Sequence, residues 1–95
     1  MDVILEEGLK FLVTHPEAAK QILDSEIEMP NIPFPTMGGE VFWTTLAEFN
    51  GYRLQQNQIT HHARILDVNN IRIAWGTING MEKALDRMAR MASKY

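Results

Sequence analysis

Cysteine is absent from the 95 residues, and with it go disulfides, thiolate metal sites and a catalytic thiol. Serine is nearly absent. Ser25 and Ser93 are the only two, neither sits in a Gly-x-Ser-x-Gly setting, and serine-nucleophile chemistry is not expected. No Walker or dinucleotide glycine pattern occurs, because Gly38-Gly39 lack the following lysine and spacing of a phosphate-cradling loop. His-Glu-x-x-His is missing as well. The longest apolar run is far short of a membrane span, so no membrane contact is expected. The opening residues Met1 to Glu7 turn acidic at once, unlike a signal peptide. Without a staple for a small secreted domain, the expectation is cytoplasmic residence.

What is present is the composition of a folded chain. Hydrophobic residues make up 45% and charged residues 22%, enough apolar surface to offset the entropy of ordering. The length suits one domain over residues 1–95 with a modest core, which a partner chain or a second copy often completes. The net charge of −3 hides a split. Residues 1–40 carry eight acids against Lys10 and Lys20, a balance of −6, whereas residues 41–95 carry four acids against seven bases, a balance of +3. Such a split marks either a basic binding surface or two halves that attract one another when packed.

Hydrophobic spacing changes along the chain. Over residues 1–28 the apolar residues Ile4, Leu5, Leu9 and Leu12, then Ala18, Ala19, Ile22 and Leu23, recur at helical spacing. Asp2 suits the first cap, and Thr14 and Glu17 have the spacing of a capping box around a break at Pro16. Residues 29–39 hold three prolines and read as a linker, with Ile32 and Phe34 laid across the core. From 40 to 77 the period is two. Val41, Trp43, Thr45, Ala47 and Phe49 would share a strand face, and Asn50-Gly51 signals a type I′ hairpin. That turn sets Phe49 opposite Tyr52 and Glu48 opposite Arg53, an aromatic pair and an ion pair. A helix over 40–50 capped by Gly51 is the competing reading, since Phe42, Leu46 and Phe49 also suit a helical stripe. Further strands are expected from His61 to Leu66 and from Ile71 to Trp75, around a turn at Asp67–Asn70. Residues 78–95 form a last helix, capped by Thr77 or Asn79, with an apolar stripe from Ile78 to Tyr95. The expected fold is α+β: an N-terminal helical pair, a four-stranded antiparallel β-meander, and a C-terminal helix packed on one face of the sheet. The other face is left for water or a second subunit.

Few residues point to chemistry. His61 and His62 are neighbours in a strand and point to opposite faces, so they do not close on one metal ion. Lys83, Arg87, Arg90 and Lys94 make a cationic stripe along the last helix, a candidate nucleic-acid or anion contact, with Arg53, Arg64 and Arg72 in the strands as further candidates and Tyr52 for stacking. A solvated helix face is the plain alternative, and the isoelectric point near 5.5 argues against a dedicated nucleic-acid domain. Trp43 and Trp75 read as core anchors, and Gln55-Gln56-Asn57-Gln58 as an exposed strand end kept soluble without charge. Met81, Met88 and Met91 read as core filler, or at Met88 and Met91 as an adaptable protein interface.

The leading expectation is a small intracellular interaction or regulatory module without catalytic activity, binding a protein partner or a second copy of itself as a homodimer. The alternatives are a nucleic-acid-binding protein using the helical stripe, and a small enzyme with a site around His61, His62 and Asp67. No cofactor and no metal is expected.

Overall fold

The computed structural model describes residues 3–27 and 33–94. Two helices come first, α1 (Val3–Thr14) and α2 (Pro16–Glu26). The break falls where expected, but the capping box does not form. The Thr14 hydroxyl donates back to the Lys10 carbonyl, and α2 starts from His15 with Pro16 in its first turn and no side-chain cap. The expected cap at Asp2 and the expected packing of Ile32 lie outside the described residues.

Five strands follow: β1 (Phe34–Pro35), β2 (Trp43–Phe49), β3 (Tyr52–Asn57), β4 (His62–Leu66) and β5 (Ile71–Thr77). They form one antiparallel sheet in the order β1-β5-β4-β3-β2. The fifth strand is the two-residue β1, cut from the proline-rich linker and paired to β5. Segment 40–50 is a strand from Trp43 onward. Asn50 and Gly51 take φ of 50° and 85°, the left-handed pair that a type I′ turn demands, and Phe49 and Tyr52 pair across it as expected.

The side chains of β2 do not share one face. A bulge at Leu46 breaks the register between Thr45 and Ala47, so Ala47 and Phe49 turn toward the helices while Trp43 and Thr45 turn away. A second bulge, at Ile73, does the same in β5.

The last helix, α3 (Ile78–Ala92), is capped by the Thr77 hydroxyl, which accepts from the Gly80 amide. All three helices lie on one face of the sheet. Their apolar stripes (Leu5, Leu9, Leu12, Ile22, Leu23, Met81, Leu85 and Met88) meet Ala47, Leu54, Ala63, Ile65 and Ala74 in a single core. The tightest approach is between α1 and α3. A Cβ placed on Gly8 would stand 2.5 Å from the Leu85 carbonyl oxygen, so glycine is what lets the two backbones touch.

Because β1 and β2 sit at opposite edges, residues 36–42 have to cross the sheet. This strap is tied at the β4–β5 turn, where the Thr36 amide and hydroxyl both donate to the Asn70 carbonyl. It is tied again over β3, where the Gln55 amide nitrogen donates to the Gly39 carbonyl. Gln55 points away from the helices, so the strap runs over the helix-free face.

Candidate functional site: the arginine face of the sheet

Alternation along the strands puts Leu54 and Ile65 into the core, and by the same period of two it sends their neighbours Arg53, Gln55 and Arg64 to the helix-free face. Register completes the pattern. Arg53 and Arg72 both pair with Leu66, one from each side, and Arg64 lies between Gln55 and Trp75. Three guanidiniums from three adjacent strands therefore share one surface.

Aromatic rings hold them. The Arg64 guanidinium carbon lies 3.8 Å from the centre of the Trp43 ring, and that of Arg72 lies 4.8 Å from Trp75 and 5.0 Å from Phe34. These are cation–π distances, in which the ring quadrupole attracts the cation. Trp43 and Trp75 are thus half-buried platforms on the helix-free face and not the core anchors their apolar setting suggested. Phe34 stands there too, 56% exposed.

Gln55 departs from the expected exposed strand end. It is fully buried, accepts from the Arg64 Nε at 2.9 Å and donates to Gly39 and Thr45. Arg64 is only 7% exposed, and Leu66 is buried on the same face, outside the helix-packed core. Arg53 does not form the expected ion pair with Glu48. Its guanidinium donates instead to the Gly51 and Asp67 carbonyls and to the Asn70 side chain at the β4–β5 turn.

No carboxylate neutralises these three cations among the described residues, whose ion pairs are Arg87–Glu26 and Arg90–Asp86. Two of the donors have no partner at all: the Arg64 Nη2 and the Arg72 Nε are shielded from solvent and unbonded. Burial, and then the positive charges of Arg53 and Arg72, hold the Arg64 guanidinium below the ordinary arginine pKa. A guanidinium starts so high that it stays charged at neutral pH, so the crowding raises the energy of a charged group without neutralising it.

The other sequence candidates are more dispersed. Lys83, Arg87 and Arg90 do lie along α3, with Lys94 in the turn that follows it, but Arg87 bonds Glu26 at 2.7 Å and also Ser25, and Arg90 bonds Asp86 at 2.7 Å. Half the stripe is thereby neutralised. Met88 is fully buried in the core, while Met91 is half-buried beside the groove between α2 and α3. His61 is exposed in the β3–β4 turn with a φ of 63°. His62 meets Trp75 edge-on at 6.0 Å. Asp67 lies at the far end of β4, its carboxylate accepting from the Asn69 and Ile71 amides. Five residue steps along β4 separate His62 from Asp67, roughly 16 Å, so the three do not converge. No group of three acids or histidines able to hold a metal ion occurs among the described residues. No helix among them is long and apolar enough to cross a membrane.

Comparison with protein-family models, with curated proteins and with solved structures gave no match.

Proposed function

We propose that this chain is a binding module, without catalytic activity of its own, whose recognition surface is the helix-free face of the sheet and whose partner presents a negative charge there. The observation that carries this reading is the trio Arg53, Arg64 and Arg72, aligned on one face with no acid among the described residues to neutralise it. The edges of the sheet favour the face as well. The β1 edge contains Pro35 and the β2 edge is bulged at Leu46, both devices that discourage strand addition. An overall charge of −3 repels a long polyanion at a distance, so a compact anionic group fits the local cluster better than a nucleic-acid strand laid along α3.

The test is thermal unfolding in citrate, phosphate and sulfate against chloride at matched ionic strength. Binding to the native state raises Tm by mass action, whereas excluded kosmotropic anions raise it in any protein. The parent chain should therefore gain more than an Arg53→Gln/Arg72→Gln variant does. Equal gains in both proteins would count against the reading.

Self-association has separate support at one corner of the molecule. Phe42 is 58% exposed although its φ is 64°, a conformation that costs a bulky residue energy. Its carbonyl accepts from the Gln58 amide, which holds it beside the exposed Ile59, with Val41 next in the chain. A second copy docking there predicts a concentration-dependent dimer in sedimentation velocity that Phe42→Asp abolishes. A monomer at every concentration would remove this second reading.

A further inference from the structure

Resting on the reading of the sheet face above, we propose that the unpartnered donors of Arg64 and Arg72 are the seat of a phosphate-class oxyanion, either free phosphate or the phosphate of a small monoester. The seat is built. Arg64 is more than nine-tenths buried, its Nε is fixed by Gln55, its plane is fixed by Trp43, and its Nη2 is left without an acceptor. On the adjacent strand the Arg72 Nε is left in the same condition, with its guanidinium set against Phe34 and Trp75. Buried donors without acceptors are costly, and charged ones most of all. A tetrahedral anion offers oxygens to donors from two strands at once and matches guanidinium geometry.

Charge selects phosphate over a lone carboxylate. A carboxylate neutralises one cation, whereas a phosphate dianion answers two of the three that crowd this face. Among the described residues neither Glu40 nor Glu48 forms an ion pair with these arginines: Glu40 accepts from the Thr45 hydroxyl, and Glu48 is exposed. Gly38 and Gly39 of the strap adopt φ of 67° and 80°; a Cβ on Gly39 would meet nothing within 4 Å, whereas one on Gly38 would meet the Asn70 side chain at 2.5 Å, so the strap is open at Gly39 and packed on the β4–β5 turn at Gly38.

The chain contains two tryptophans, and both lie against these arginines, so intrinsic fluorescence reads the seat directly. The experiment titrates the full chain with inorganic phosphate and, separately, with phenyl phosphate, at constant ionic strength against chloride and citrate. A saturable fluorescence change is expected with phosphate. Arg72→Gln and Arg64→Lys, each checked for folding by circular dichroism, should weaken it by about tenfold or more, the worth of one charged hydrogen bond. Arg87→Gln should leave it unchanged. Tighter binding of phenyl phosphate would assign the seat to a monoester, and equal or weaker binding to the free anion. No saturation with either phosphate, or saturation that survives both arginine substitutions, would overturn the proposal. A saturable response to citrate alone would overturn it too, while leaving the broader reading of the face standing.

Discussion

Gln55 and Arg64 are one unit, and their chemistry sets an unusual stability pattern. Each is buried, and the Arg64 Nε donates to Gln55 Oε1 at 2.9 Å. Removing one partner leaves a buried polar group alone, whereas replacing both with apolar residues of like shape is close to neutral or stabilising. Gln55→Leu should therefore cost about 1–3 kcal/mol. The double variant Gln55→Leu/Arg64→Met should recover most of that loss, measured by urea unfolding. A double variant less stable than Gln55→Leu would mean that the buried guanidinium is held for the stability of the fold, and would weaken its claim to a binding role.

Single residues also show how far the sequence was legible. The Asn50-Gly51 turn was readable because its backbone conformation is local, and so was the pairing of Phe49 with Tyr52 that follows from it. The thread was lost at Glu48 and Arg53. They face one another in register, yet Arg53 turns to carbonyls at the distant Asp67–Asn70 turn, a contact no local spacing encodes. Arg53, Arg64 and Arg72 were visible as bases in strands. Their assembly depended on the register of three strands, and the outward direction of Trp43 depended on the Leu46 bulge, which leaves no signature in the alternation.

At the scale of elements, α1 and α3 pack most extensively, and the contact turns on Gly8. Replacing glycine by alanine inside a helix ordinarily stabilises it by up to ~1 kcal/mol. Here the sign reverses, because the added Cβ would lie 2.5 Å from the Leu85 carbonyl and 2.9 Å from its Cα, both backbone atoms that do not swing aside. Gly8→Ala should destabilise by about 1–3 kcal/mol, the usual range for overpacking, and lower Tm by several degrees for a domain of this size. An unchanged or raised Tm would show that the helices separate freely. The helical periodicity that placed both elements in the sequence said nothing of this pairing, since a stripe of apolar residues fixes which side is buried but not which partner it meets.

The strap is the other element-scale finding. A proline-rich stretch read as a linker contributes a short edge strand and then a crossing over the sheet. Its tethers are few and its glycines are in left-handed conformations. Prolines signalled an extended, irregular segment; only the strand order, with β1 and β2 at opposite edges, dictates that the segment must cross a face.

For the whole molecule, the charge split noted in the sequence resolves in two places. Part of it is internal attraction, as Glu26 of the acidic half pairs with Arg87 of the basic half across α2 and α3. Three of the remaining bases, Arg53, Arg64 and Arg72, gather on the helix-free face without an ion pair among the described residues. The molecule therefore has a helical layer that builds the core and a sheet face that is polarised, aromatic and unsatisfied.

The measurement that bears most directly on this division is amide and arginine Nε chemical-shift mapping during titration with inorganic phosphate at constant ionic strength. Shifts should concentrate at Arg53, Gln55, Arg64, Arg72, Trp43, Trp75 and the strap residues Gly38 and Gly39, with the α2 and α3 resonances nearly still. Shifts centred instead on Arg87, Arg90 and Lys94 would move the functional surface to the helices and contradict this division.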